Sequence, residues 1–343
     1  MSSWFTILGN SSYYRRAIYI DTFCGPGQYA TGEDGSPIVA LKHGRAASAR
    51  YRNFNPSFHF IDNDKNAIEH LKSIPKFQSA EKYFDSLYVY TGNFPDLVDT
   101  VIRNAKIENT TPVFSFVDPF GIGASPFTTI SKLLPNNHSE MFINFMGGWA
   151  NRFINHSDKL AQHVEGLLGG DFVERVLNAP DRTEEIYKIY MEQLLTIVPF
   201  VKRFQLFDET GQKDNALIFC GPHPKGYIAM KKAMWSIDPV HGQNFSEKQH
   251  AIERNFISLL PDEPYLAPLR SSILEHFSQR RAVKMSEIDE WVESETNYLT
   301  THLRKGGGLM EILYSEGKIK YFDPEGKRKF KNNWVNRLLI DFL

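Results

Sequence analysis

Two short stretches carry residue types whose spacing can do chemistry. The first is Asp21-Thr22-Phe23-Cys24-Gly25-Pro26-Gly27. Closely spaced glycines let a backbone approach a ligand, because glycine has no side chain and tolerates positive φ. The spacing is not the G-x-G-x-x-G of a dinucleotide site. An acid leading into D-x-F-x-G-x-G has instead the form of an S-adenosylmethionine (AdoMet) site. There the loop backbone meets the methionine end of the cofactor, and the carboxylate of Asp21 can reach its ammonium group directly or through water. The second stretch is Asp118-Pro119-Phe120-Gly121. A strand-end acid, then proline, then an aromatic is an arrangement used on exocyclic amines. Asp118 accepts a hydrogen bond from the target NH2, and Phe120 stacks on the base. Methyl transfer is an in-line displacement, so positioning supplies much of its rate.

These groups need elements to hold them. Ala17-Ile18-Tyr19-Ile20 reads as a buried strand that runs into the glycine loop. After the loop, Ser36 is a good N-cap and Pro37 a good first helical residue, so a helix is expected from there through Ala49. Strand-like and helix-like segments then alternate to about residue 240, which predicts an α/β fold with a mostly parallel sheet. Further strands are expected at 57–64, 87–90, 112–117 and 140–146, a helical insertion at about 150–197, and a β-hairpin from 200–207 and 216–220. A helix should follow from Lys225 to Trp235.

Polar or glycine residues end the same side of successive strands, where doubly wound folds bind ligands. Asp62 ends the second strand and is the candidate for ribose hydroxyls, with Asp64 as the alternative. Asn93 and Phe94, after the third, would meet the adenine edge and face. With Asp21, Phe23, Gly25 and Gly27 they make the expected cofactor set. Gly121, Trp149, Arg152 and Lys225 are candidates for the substrate side.

Composition narrows the class. The 343 residues carry 39 Lys+Arg against 40 Asp+Glu, a formal charge of -1. A dedicated nucleic-acid coat protein would be strongly basic, so any such binding has to come from local patches. The two cysteines, Cys24 and Cys220, cannot build a zinc site alone and fit a reducing compartment. No apolar run approaches the roughly 18 residues of a membrane span. The N-terminus lacks the charge and apolar core of a signal peptide, so a cytoplasmic protein is expected.

Taken together, Tyr19 to Gly27, Gly35 to Leu41, Phe60-Ile61-Asp62, Val117 to Gly121, His223-Pro224-Lys225-Gly226 and Met230 to Trp235 resemble the three-Cys-motif partner protein (TcmP) family. That resemblance implies a class I, Rossmann-like methyltransferase fold, AdoMet as cofactor, and a partner protein carrying the three-cysteine motif. Cys24 departs from the pattern, which more often has alanine, and the segment before the first strand is short. Asp-Pro-Phe-Gly is also similar to the tetrapeptide of tRNA guanine-N2 methyltransferases. The cofactor loop resembles that of cytosine-C5 methyltransferases, but Pro119-Phe120 stands where those enzymes carry their nucleophilic cysteine.

From about residue 245 the character changes. A helix is expected over Gln249 to Leu260, then a proline-containing connector and three helices. Two strands follow, Ser315 to Phe322 and Lys327 to Lys331. Helices followed by a β-wing suggest a winged helix, with Arg304, Lys305, Lys318, Lys320 and the Lys327 to Lys331 cluster facing phosphate. The expected organisation is thus a methyltransferase-type domain over 1–244 and a helical linker with a winged-helix-like domain over 245–343. The expected activity is N-methylation of an exocyclic amine of a DNA or RNA base. The alternative is a non-catalytic protein that keeps the fold and binds nucleic acid or a partner.

Overall fold

Ala17, Ile18, Tyr19 and Ile20 are all inaccessible to solvent, on both faces of one strand. Such a strand needs a covered sheet, since a parallel sheet buries both of its faces under helices. The computed structural model describes residues 2–11, 13–84, 86–121, 123–154, 158–207, 213–246, 264–325 and 334–343. They group into two units, Met1–Tyr227 and Ile228–Leu343.

In the first unit β1 (Arg16–Asp21), β2 (Asn55–Asp62), β3 (Leu87–Thr91), β4 (Val113–Val117) and β5 (Ser139–Phe145) run parallel. A hairpin of β6 (Phe200–Phe207) and β7 (Lys213–Gly221) joins through β7, which lies antiparallel to both β5 and β6. The resulting order is β3-β2-β1-β4-β5-β7-β6. This is an α/β, Rossmann-like sheet, and its order reverses between β1 and β4. At that switch point the connections leave to opposite faces and open a crevice at the carboxyl ends.

The period of two along each strand sorts the core into two layers. Ile18 and Ile20 of β1 pack with α5 (Phe94–Ala105) and the helices α7 (Gly147–Phe153), α8 (Asp158–Leu168), α9 (Val173–Leu177) and α10 (Arg182–Leu195). Ala17 and Tyr19 face the other way, toward α1 (Ser2–Gly9), α2 (Ser36–Arg50), α3 (Lys65–Ser73) and α4 (Pro75–Tyr83). A short α6 (Phe127–Ile130) follows β4. Helices α1 and α4 were not expected from the sequence. Each is short, and each is anchored by one buried ring, Phe5 or Phe77. The cap of α2 also differs from expectation. Gly35 is the N-cap and Ser36 enters the first turn, because the Gly35 carbonyl already accepts the first helical bond, from the Val39 N–H at 3.1 Å.

In the second unit the helices Ala267–His276, Met285–Glu295, Thr300–Arg304 and Leu309–Ser315 pack over a three-stranded antiparallel sheet. Its order is Val283–Lys284, Leu339–Phe342, Ile319–Phe322. The helix α11 (Pro224–Ile237) carries Lys231, which is fully buried. Its Nζ donates to the carbonyls of Val292, Glu293 and Thr296 at 3.3, 3.0 and 2.9 Å. A cation at a helix C-terminus satisfies carbonyls that have no partner within the helix. Burial lowers the Lys231 pKa to about 8, partly offset by the charge of Glu293. Arg304, expected to face phosphate, is instead paired with Asp289 and bonded to the Trp334 carbonyl. The expected helix over Gln249 to Leu260, the Lys327 to Lys331 cluster and residues 208–212 of the hairpin turn expected over Asp208 to Asp214 lie outside the described residues, and β7 already begins at Lys213.

Gly44 sits inside α2, where alanine ordinarily stabilises a helix by about 1 kcal/mol. Here a Cβ would lie 2.4 Å from the ring of Phe58, which is fully buried. Overpacking of this kind costs about 1–3 kcal/mol. Gly44→Ala is therefore expected to lower the urea midpoint at unchanged m, reversing the sign of helix propensity.

Candidate active site

The glycine loop is held from below by Asp62. Its Oδ2 accepts the Gly25 N–H at 2.7 Å, and its Oδ1 accepts the Asp64 N–H at 2.9 Å. The end of β2 thereby fixes the loop that follows β1, and each oxygen keeps a second lone pair. Asp64 has a different job, capping α3 through the Asn66 N–H at 2.8 Å. The two glycines differ as well. Gly25 has φ +61°, and a Cβ there would meet nothing within 4 Å, so it faces open space. Gly27 has φ +75°, and a Cβ there would strike the Leu71 side chain at 2.4 Å. Gly25 leaves room for a ligand; Gly27 lets α3 pack on the loop.

Asp21, the last residue of β1, is 0 % exposed, and its Oδ1 has no hydrogen-bond partner. Its Oδ2 accepts the Tyr19 hydroxyl at 3.5 Å. Burial pushes its carboxyl up to about 7, with the charge of Asp118 adding to the effect. Ser36, the Phe23 N–H and Tyr19 pull it down, but none is aligned to satisfy Oδ1.

Asp118 follows β4 directly and is half-buried. Asn144 on β5 donates its Nδ2 to Asp118 Oδ1 at 2.7 Å. The register pairs Val117 with Ile143, so Asp118 and Asn144 are the next rung beyond the pairing. Burial raises the Asp118 pKa and the Asn144 bond opposes the rise. The Oδ1 of Asn144 is buried without a partner. Asp21, Asp118 and Asn144 thus stand on adjacent strands, in the phase that faces α2. Two of the three carry an unpartnered acceptor. Buried polar atoms are nearly always bonded, so these two mark where a donor belongs.

Around this row lie the other expected residues. Pro119 is buried, and Phe120 projects with 82 % of its surface exposed. Gly121 has φ +108° and open space at its Cβ. Trp149 on α7 follows β5 at the same edge and is 41 % exposed, tilted on Phe153. A cavity of about 260 Å³ opens at the ends of β1 to β4, lined by Thr22, Phe23, Asn63, Asn93, Phe94 and Ala124 among others. Phe23 meets Phe94 edge-on at 5.8 Å within it. Phe94 is almost wholly buried, so it forms floor rather than an open face. Asn93 is exposed, but its amide is engaged with Asn63 at 3.3 Å and Asp96 at 3.2 Å. Asp21, Gly25 and Asp62 stand beside this cavity without lining it.

Some expected residues are not brought here. Lys225 begins α11 after β7, which runs against β5. It therefore lies at the amino edge of the sheet, beside Pro112 and Glu140, and not at the Asp118 edge. Lys318 and Lys320 belong to the second unit, exposed on either side of buried Ile319. Cys24 and Cys220 are both buried, and burial drives both thiols far above the usual cysteine range, which removes either as a nucleophile. Sequence reasoning missed Asn144. A single amide inside an apolar strand carried no signal until its register with Asp118 was known.

No family model matches the sequence, and no curated protein matches it. Solved structures do resemble its chain path. A Legionella pneumophila protein of family DUF519 has 11% identity, covering 66% of this chain and 84% of its own, with a TM-score of 0.39. A candidate O-methyltransferase from Klebsiella pneumoniae has 10% identity over 65% of this chain and 80% of its own, with a TM-score of 0.34. A candidate rRNA methylase from Clostridium thermocellum has 12% identity over 64% of this chain and 94% of its own, with a TM-score of 0.32. Among the described residues no cluster of three or more potential metal ligands occurs, and no helix is long and apolar enough to cross a membrane.

Asp21 yields a pH test. Its folded pKa of about 7 lies above the ordinary 3.8. Between those values the unfolded chain releases a proton that the folded chain keeps. Stability therefore falls as pH rises through that window and stays lower above it. Asp21→Asn is expected to melt higher than wild type at pH 8, by up to about 4 kcal/mol of stability. The advantage should shrink toward pH 5 in paired thermal melts.

Proposed function

We propose that the chain is an AdoMet-dependent methyltransferase acting on an exocyclic amine of a nucleic-acid base. The observation that carries this reading is the pair of buried, unpartnered acceptors, Asp21 Oδ1 and Asn144 Oδ1, at the carboxyl edge of the sheet. Both call for N–H donors, and the two reactants of such a transfer each bring one. The ammonium of the cofactor would satisfy Asp21, while Gly25, at positive φ and facing open space, would accept its close approach. Asp62 would steady the loop and offer its remaining lone pairs. Phe23, Asn93 and Phe94 would line the adjoining cavity. When bound, the cofactor supplies a methyl group activated by a sulfonium.

On the substrate side, Asp118 and Asn144 would accept the two N–H groups of an amine and hold its lone pair toward the crevice. Phe120 offers an exposed ring beside them for stacking, and base–aromatic stacking is worth about 1–3 kcal/mol. Trp149 and Gly121 border the same opening. The sequence resemblance to the TcmP family supports the same fold and adds a three-cysteine-motif protein as a partner.

The second unit supports nucleic-acid contact in this reading. We read its order of helix, strand, helices and two strands as a winged-helix arrangement, in which the exposed Lys318 and Lys320 would meet phosphate.

Calorimetric titration with AdoMet and transfer of labelled methyl to DNA, RNA and protein test the proposal. Asp118→Ala is expected to lose about 100-fold or more in transfer while binding AdoMet within a few-fold of wild type. Phe120→Ala should leave the melting temperature unchanged and weaken substrate use. Cofactor binding that strengthens from pH 6 to pH 8 in wild type, but not in Asp21→Asn, would tie the ammonium to that carboxylate. Binding without transfer to any polymer, or full activity in Asp118→Ala, would leave a non-catalytic binding protein.

A further inference from the structure

The opposite edge of the sheet holds a second cavity of about 230 Å³, built entirely within the first unit. Its walls come from α1, from the starts of β4 and β5, and from the turn between β7 and α11. Trp4, Ile7, Leu8, Pro112 and Pro222 make it largely apolar. Tyr14 and His138 stand in its wall, the Tyr14 hydroxyl 3.0 Å from His138 Nδ1. At its floor lies Glu140, only 9 % exposed. Among the described residues this carboxylate has no salt-bridge partner.

A buried carboxyl without a counter-ion is costly, and an apolar residue of similar size would serve packing better. Burial pushes Glu140 up to about 7, with a hydrogen bond from the Trp4 indole opposing the rise. The start of α11 passes close beside it: a Cβ on Gly226 would lie 1.7 Å from Glu140 Oε1, so a side chain there would displace the carboxyl end. Glu140 lines the cavity, and its carboxylate oxygens are not among the sealed, unpartnered atoms of the core. A carboxylate beneath aromatic walls is the recipe for an organic cation, which gains both Coulomb attraction and contact with ring faces. The volume falls below the roughly 300 Å³ lower bound of typical small-molecule pockets, so the ligand is small.

We infer that this cavity is a second ligand site, which takes a small organic ammonium with one apolar or aromatic body, the amine on Glu140 and the body between Trp4 and Tyr14. It stands independently of the methyl-transfer reading, because it shares no residue with the Asp118 edge. Lys225, at its rim, is exposed and unpaired with Glu140.

The probe is benzylamine, titrated calorimetrically into the full chain, with benzyl alcohol as the uncharged analogue. Wild type is expected to bind benzylamine at one site, at least tenfold more tightly than benzyl alcohol. Glu140→Gln should abolish that preference, and Trp4→Leu should weaken both ligands. Lys225→Met should bind benzylamine as well as wild type or better. Asp118→Ala and saturating AdoMet should change none of these values, which separates this result from the fate of the catalytic reading. No saturable binding, equal affinity for the alcohol, an unaltered Glu140→Gln, or loss of binding in Lys225→Met would each overturn the inference. The wild-type comparison of the two probes stands even if a variant does not fold.

Discussion

The hydrogen bond from the Gly25 N–H to Asp62 is the contact on which the carboxyl edge depends. Glycine carries the largest conformational entropy of any residue, and a loop rich in it needs an anchor to have one shape. Here the anchor is a charge-assisted bond from a neighbouring strand, which is stronger than a neutral one. Because Asp62 also takes the Asp64 N–H, the start of α3 is set by the same carboxylate. One side chain thus fixes the loop after β1, the turn after β2 and, through Leu71 against Gly27, the seat of a helix.

That rigidity gives the unpartnered acceptors their meaning. In a mobile loop an orphaned carboxylate oxygen would find water or turn outward. Asp21 cannot, since Tyr19, Phe23 and Ser36 surround it on a fully buried strand. Its cost in the free protein is of the kind an electrostatic site accepts, because a group already stripped of water interacts strongly with whatever arrives. Asp118 shares this strain at lower burial, and its bond to Asn144 fixes which way its carboxylate turns.

Much of this was legible in the sequence, for a physical reason. A parallel strand buried on both faces is an unbroken apolar run, and its ends are punctuated by glycine, proline and acids. Strand ends are therefore written in recognisable letters. Asp21 and Asp62 end β1 and β2, Gly25 lies in the loop after β1, and Asp118 follows β4, where the pattern put them. The illegible parts are those fixed by long-range pairing. Asn144 matters only through its rung with Asp118, and Lys225 changes edge because β7 runs against β5. Glu140 reads as one polar residue in an apolar strand, and nothing local announces the cavity above it. Arg304 looked free and is bound to Asp289 through a fold-level contact.

Lys231 has a consequence of its own. Its amine is wrapped by three carbonyls and wholly shielded, while Lys318 and Lys320 stand in water. An acylating reagent at neutral pH would modify the surface amines within their ordinary lifetimes and reach Lys231 only during excursions that release the end of the Met285–Glu295 helix. The rate at which that one amine acquires its tag is a clock for breathing of the C-terminal unit, built into the chain without any added label.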